Sequence, residues 1–202
     1  MNKIARSDVP KVGYFISYDK PYDISYGHWT VKWWRWAKSI PNQVNPVIDE
    51  TGKHAHVQQE GPVWYLAGTF GKNKIPHRTC EIPSEKAILF PVINYEMNPL
   101  ERPELASKTD LISHVIQDID DILIRYAIVD GIRIPVYRVR SEPLIFSIAI
   151  NSEYSGETTY AVADGYWVFL KPLSKGKHHL YFHGSCEGGL RKAAADYKIV
   201  VI

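Results

Sequence analysis

Two histidines and a carboxylate lie close together in the segment GKHAHVQQEGPVWYLAG, residues 52–68. His54 and His56 are two residues apart, and residues two apart in an extended strand point to the same face. Glu60 follows four residues later and would share that face. Imidazole and carboxylate groups are ligands for iron, manganese and zinc. The spacing therefore raises the hypothesis of a metal site.

A histidine–x–histidine pair followed by a carboxylate is similar to the way cupin β-barrels present a metal ion. A cupin site takes one more histidine from a distant strand. His179, in the stretch PLSKGKHHLYFHG, stands three residues after Gly176, near the position of a second cupin motif. The glycine spacing and the long separation of the two halves depart from the cupin pattern. On this hypothesis the ligands of one Fe, Mn or Zn ion are His54, His56, Glu60 and His179.

A simpler interpretation gives these histidines no common partner. His54 and His56 would lie in a polar loop ahead of the strand VWYLAG, and the C-terminal histidines would decorate a hairpin. His179 and His183 would stand about 13 Å apart along one strand, at ~3.3 Å per residue, which is too far to bind one ion together. We favour the loop interpretation.

The cysteines give a second candidate for chemistry. GSCEG, residues 184–188, has the G-x-C-x-G form of a nucleophile elbow centred on Cys186. In α/β-hydrolases a histidine follows the nucleophile in the chain, and no histidine follows His183. A glycine-rich loop explains the motif better, and we predict no catalytic residue. Cys80 and Cys186 could form one disulfide or remain free thiols.

Aromatic residues make up 12% of the chain, with six tryptophans and thirteen tyrosines. Trp29, Trp33 and Trp36 repeat at helical spacing, which is typical of core residues. Trp34 lies off that stripe. Together with tyrosines around the sequence GETTYAVADGY it could form an exposed platform for a sugar ring or a protein. The predicted ligand-binding residues are Trp34, Tyr154, Tyr160 and Tyr166.

Two segments have the apolar periodicity of helices that lie on a domain. The first covers about residues 26–39 and has Ser25 as its N-cap. The second covers about residues 109–123 and has Ser107 or Thr109 as its cap. Both are expected to pack on the rest of the protein.

Elsewhere the pattern is that of about ten short strands, including AILFPVIN and YKIVVI. Asp130-Gly131 stands between two β-rich runs and predicts a tight hairpin. Many strands and only two helices predict a mainly β fold. We expect a single domain over residues 1–202, a two-sheet antiparallel β-sandwich of jelly-roll type with two peripheral α-helices.

The charge balance excludes some classes of partner. The chain has 24 Lys and Arg against 22 Asp and Glu, a net charge of +2. The basic residues are scattered, so no nucleic-acid groove is predicted. No apolar run is long enough for a membrane span, and the first residues lack an apolar leader. With residue 1 as the natural start we expect a soluble cytoplasmic protein, and with a leader before it an extracellular or periplasmic one.

Several stretches resemble an uncharacterised group of bacterial hypothetical proteins. They include the tryptophan-rich YGHWTVKWWRWAKSIP, the segment containing GPVWYLAGTF, and DGYWVFLKPLSKGKHHLYFHG. The resemblance covers most of the chain. The resemblance implies a bacterial origin and gives no known activity. Many members of the group carry export leaders. The resemblance transfers no catalytic residue.

The sequence favours a non-catalytic binding or assembly module that recognises a glycan or a protein partner. Such a module needs no cofactor and could form homo-oligomers. Two alternatives stay open. One is a cupin-like metal-dependent enzyme with the His/His/Glu/His site and one divalent ion. The other is a structural subunit of a larger assembly, in which exposed strand edges pair between chains.

Overall fold

A computed structural model describes residues 12–69, 74–105, 107–150 and 157–202. Within these ranges the two α-helices are α1 (Tyr26–Ser39) and α2 (Lys108–Asp120). The strands are β1 (Val63–Tyr65), β2 (His77–Ile82), β3 (Ala87–Met97), β4 (Ile122–Val129), β5 (Ile132–Ile134), β6 (Tyr137–Arg138), β7 (Ile145–Ile150), β8 (Glu157–Leu170), β9 (Gly176–Cys186) and β10 (Lys192–Val201). Short 3-10 helices cover Pro21–Asp23, Asn42–Val44 and Glu187–Gly189.

The strands form two sheets that pack face to face. The first sheet has the order β1-β3-β8, and both β6 and β7 pair with β8. The second sheet has the order β2-β10-β9-β4-β5. The predicted two-sheet β-sandwich is confirmed. The prediction that the sheets are wholly antiparallel is wrong, because β1 pairs with β3 in parallel and β2 pairs with β10 in parallel.

The core between the sheets follows the period-two alternation of strands. Leu180 and Phe182 of β9 point inward and are fully buried. The ring of Phe182 stacks on Phe90 of β3, with ring centroids 5.0 Å apart. Apolar side chains that alternate in this way fix the register, because a shift of one residue would turn each of them to the other face.

Helix α1 covers the opposite face of the first sheet. Ser25 Oγ accepts a hydrogen bond from His28 N at 3.3 Å and caps the helix as predicted. Trp33 packs edge-to-face against Trp167 of β8, with centroids 5.5 Å apart. The first sheet is therefore buried on both faces, between α1 and the second sheet. None of the helices among the described residues has the length and apolar character to cross a membrane.

Helix α2 is shorter than predicted. Ser107 Oγ accepts from Asp110 N at 3.1 Å, which confirms Ser107 as the N-cap. The expected end at residue 123 is wrong, because Ile122 already begins β4 and pairs with Cys186 of β9. The apolar periodicity of the helix continues past Asp120, but the residues from Ile122 onward form β4.

The predicted hairpin joins β4 to β5. Asp130 and Gly131 have φ values of 50° and 79°, and positive φ at both central residues is what a type I′ turn requires. The Asp130 carboxylate also holds the start of β9. It accepts from His179 N at 2.8 Å and contacts His178 Nδ1 at 2.6 Å, while His178 Nε2 lies 2.8 Å from the Ser174 carbonyl oxygen.

These contacts predict a pH dependence of stability. Burial disfavours the charged imidazole of His178, but Asp130 and Ser174 outweigh that effect and raise its pKa above 6.5. The folded protein then binds this proton more tightly than the unfolded chain. The resulting stabilisation is complete below pH 6.5 and is lost as the pH rises through the raised pKa.

We expect His178→Gln to flatten the fall in the free energy of unfolding above pH 6.5. Urea unfolding at a series of pH values measures this slope. Asp130→Asn keeps the size of the side chain and removes its charge, so it should also flatten the fall in the free energy of unfolding above pH 6.5. A slope in His178→Gln as steep as that of the wild type would contradict the assignment.

Candidate functional site

Helix α1, strand β3 and the segment leading into β10 enclose a cavity of about 350 Å³. Small-molecule sites typically measure about 300–1,000 Å³. We call it the Trp34 cavity. The lining includes polar or charged side chains that could contact a ligand: Trp34, Lys38, Thr69, Asn94, Tyr95, Glu96, Arg191 and Lys192.

A break in the β3 ladder helps place two of these side chains. The pairing of β3 with β8 shifts register between Pro91 and Ile93. Before the shift, Leu89 faces α1 and its neighbours face the second sheet. After it, Ile93 packs away from α1. Asn94 therefore turns toward α1, and so does Glu96, two residues further along.

Three of the four indoles of α1 have a hydrogen-bond acceptor. Trp29 Nε1 donates to the Pro21 carbonyl at 2.9 Å, Trp33 Nε1 to Leu66 at 2.9 Å, and Trp36 Nε1 to Val57 at 3.0 Å. Trp34 Nε1 is buried and has no acceptor among the described residues. Trp34 is therefore the exception on this helix.

The expectation that Trp34 is exposed is wrong, since only 4% of the residue is accessible. Its ring packs edge-to-face against Trp33, with centroids 5.0 Å apart. Val47 packs in the same apolar cluster as Trp34, and residues 190–193 lie across the cavity from α1. Trp34 is therefore a buried residue beside a cavity and does not form part of an open platform.

Asn94 supplies a second unused donor. Its Nδ2 is buried and has no hydrogen-bond partner within the described part of the chain. A buried donor without a partner costs about 1–3 kcal/mol. Trp34 and Asn94 both line the cavity, and so does Glu96, whose buried Oε2 also has no hydrogen-bond partner among the described residues. A molecule bound here would satisfy such groups.

The charged groups of the wall are largely neutralised in place. The Glu96 side chain is fully buried, and Lys38 Nζ lies 3.2 Å from its Oε2, an ion-pair contact without the alignment of a hydrogen bond. Asn98 Nδ2 donates to Glu96 Oε1 at 2.9 Å. Lys38 also contacts Glu101 Oε1 at 2.7 Å. Burial raises the pKa of Glu96, and Lys38 opposes that shift only in part.

The more exposed side of the cavity is formed by the segment between β9 and β10. Leu190 is 93% exposed. Arg191 is held by Asp118 and by Asp121, at 2.5 Å from Asp121 Oδ2. Lys192 follows and makes no ion pair among the described residues. This segment therefore presents one uncommitted cation to the cavity.

The two cysteines are free thiols. Cys80 on β2 pairs in register with Ile199 of β10, and Ile199 pairs in turn with His178 of β9. Cys186 is eight residues further along β9, on the order of 26 Å away at ~3.3 Å per residue. A disulfide between them is therefore excluded by geometry. Burial raises the pKa of the Cys80 thiol to about 12, whereas the backbone N–H of Arg191 lowers that of Cys186.

The predicted aromatic platform does not assemble. Tyr160 packs beside α2 with Lys108 Nζ 5.2 Å from its ring centre, and Tyr166 lies under the Arg125 guanidinium at 4.3 Å. Both tyrosines lie on the face of the first sheet opposite α1 and Trp34. Tyr160 and Tyr166 both occupy even-numbered positions of β8, and alternate residues of a strand point to the same face of the sheet. Tyr154 lies outside the described residues.

The predicted metal ligands are also dispersed. Residues 53–58 form successive turns, in which His54 N donates to Asp49 Oδ2 at 2.8 Å while His56 and Glu60 are exposed. His179 lies on β9 and contacts Asp196 Oδ1 at 2.8 Å.

The turn at residues 53–58 is tied to β2 by the bond from Thr79 N to the Thr51 carbonyl, and β10 separates β2 from β9. β9 is two strand spacings from β2, so His179 lies at least about 10 Å from β2, at ~4.8 Å per strand. The described residues contain no group of three or more His, Cys, Asp or Glu able to hold a metal ion.

Comparison of the chain with protein-family models, with curated proteins and with solved structures found no match. The function must therefore be argued from the chemistry of the site itself.

Proposed function

We propose that the protein is a non-catalytic binding module that holds a small organic ligand in the Trp34 cavity. The observation that carries this proposal is the unpartnered indole N–H of Trp34, on a helix whose three other indoles all have acceptors. The proposal keeps the binding role expected from the sequence. It moves that role from an open platform for a glycan or protein to a partly open cavity.

The state of the charged groups supports binding more than catalysis. Among the described residues of the cavity wall Glu96 is the one carboxylate. Its Oε1 accepts from Asn98, and Lys38 Nζ lies 3.2 Å from its Oε2 and offsets its charge. A general base must come within hydrogen-bond reach of the proton that it removes, and a substrate would have to displace one of these two groups to reach Glu96. Held in this way, Glu96 orients Lys38 and the end of β3.

A pair of matched substitutions tests whether the Trp34 donor is free. Trp33→Phe leaves the buried Leu66 carbonyl without its donor, whereas Trp34→Phe removes a donor that has no acceptor. We expect Trp33→Phe to lower the free energy of unfolding by about 1–3 kcal/mol more than Trp34→Phe does. Denaturant unfolding of both variants measures the difference. Equal losses would show that Trp34 makes a hydrogen bond in the free protein and would remove the main support for the proposal.

A further inference from the structure

On the assumption that the proposed binding function is correct, we infer that the ligand of the Trp34 cavity is a small organic carboxylate. Its apolar, ring-sized body would lie against the tryptophans, and its carboxylate would meet Lys192 and the unpartnered donors. Three independent features of the wall lead to this class.

The first feature is the charge of the wall. Its charged lining residues within the described part of the chain are three cations, Lys38, Arg191 and Lys192, and one anion, Glu96. Lys38 is neutralised by Glu96 and Glu101, and Arg191 by two aspartates. Lys192 is left without an ion pair among the described residues, which favours an anionic ligand.

The second feature is the kind of hydrogen-bonding group that is unused. Trp34 Nε1 and Asn94 Nδ2 are donors, and the third unpartnered atom of the wall, Glu96 Oε2, lies 3.2 Å from Lys38 Nζ. Carboxylate oxygens only accept, so they satisfy such donors without leaving a donor of their own unpaired. An ammonium group would need an anionic partner, and Lys38 already offsets the charge of Glu96. The wall therefore discriminates against amines.

The third feature is the apolar remainder of the wall. It is built from Trp33, Val47, Pro91, Ile93, Leu190 and Ala193. Such surfaces favour a ligand body that buries apolar area. A monosaccharide carries hydroxyl donors all around its ring, and most of them would face these groups without an acceptor. An aromatic or alicyclic acid fits both parts of the wall.

The experiment titrates the full chain with three probes, naphthoate, naphthylmethylamine and N-acetylglucosamine, by calorimetry. We expect naphthoate to bind and the other two to bind at least about tenfold more weakly. Lys192→Ala should weaken naphthoate binding about tenfold, because it removes one charge-assisted contact. Lys198→Ala removes the same charge from an exposed site on the same strand and should change the affinity less than about twofold.

The other possible results would contradict the ligand class, the position of its carboxylate, or the binding function. Binding of the amine or the sugar in preference to naphthoate would overturn the carboxylate class and leave the proposed binding function standing. Equal effects of Lys192→Ala and Lys198→Ala would overturn the placement of the carboxylate. Failure of all three probes to bind would overturn the inference and count against the binding function as well.

Discussion

Replacing Arg78 by methionine is expected to lower the free energy of unfolding by at least about 3 kcal/mol. Arg78 is 2% exposed, and no carboxylate of the described residues pairs with it. Its guanidinium donates instead to Tyr197 Oη at 2.7 Å, to the Asp49 carbonyl at 2.7 Å, and to the carbonyls of Val47, Ala67 and Gly68. Methionine fills a similar volume but leaves several buried oxygens without a donor.

The matched control is Arg133→Met. Arg133 lies over the ring of Tyr126 at 5.7 Å on the second sheet. Its loss should cost less than about 1 kcal/mol. Because Arg78 ties together chain segments that include Val47 and Gly68, which line the Trp34 cavity, its loss should also weaken naphthoate binding. Urea unfolding measures the stabilities, and similar losses in the two variants would contradict the role given to Arg78.

Replacing Gly52 by alanine should cost about 3 kcal/mol, from backbone strain together with a steric clash. Gly52 has a φ of +87° and lies against the backbone of β2. An added Cβ would lie 2.7 Å from Thr79 N and closer still to Thr79 O. Thr79 N also donates to the Thr51 carbonyl at 2.8 Å, so the clash would disturb the bond that ties this turn to the sheet.

Gly61→Ala is the control that separates the two causes. Gly61 has a similar positive φ of +67°, but a Cβ there would meet open space. It should therefore show only the cost of the left-handed backbone, about 1 kcal/mol. Thermal and urea unfolding of both variants measure the difference. If Gly61→Ala destabilises the protein as much as Gly52→Ala, the close approach to Thr79 has no energetic consequence.

Much of the fold could be predicted from local signals in the sequence. A serine ahead of an apolar stripe located the start of α1, and Ser107 was one of the two caps predicted for α2, because capping depends only on residues within one turn. Asp130-Gly131 located a hairpin, because few residues accept positive φ at two successive positions. The end of α2 was wrong, because apolar periodicity does not tell where a helix yields to a strand.

The candidate site could not be predicted in the same way. The cavity beside Trp34 brings together α1 and residues 190–193, which are remote from α1 in sequence. The orientation of Asn94 and Glu96 depends on a register shift between Pro91 and Ile93. Pro91 is a sequence signal for a bulge in a strand, but it does not tell which face the following residues take.

The histidine pattern misled for a related reason. His54, His56 and Glu60 share a face only in an extended strand, and the chain forms turns there. His179 lies on β9, and β10 keeps it from the other three residues. Spacing along the chain therefore indicated a convergence that the sheet order does not permit.

The central claim is that Trp34 offers a free donor to a ligand. The most direct measurement follows the indole N–H signals of the six tryptophans in a nitrogen–proton correlation spectrum while naphthoate is added. We expect the Trp34 signal to move furthest, toward the position of a hydrogen-bonded indole, and the Trp33 signal to move less because its N–H donates to Leu66. A Trp34 signal that stays in place at saturating naphthoate would show that its N–H does not bind the ligand.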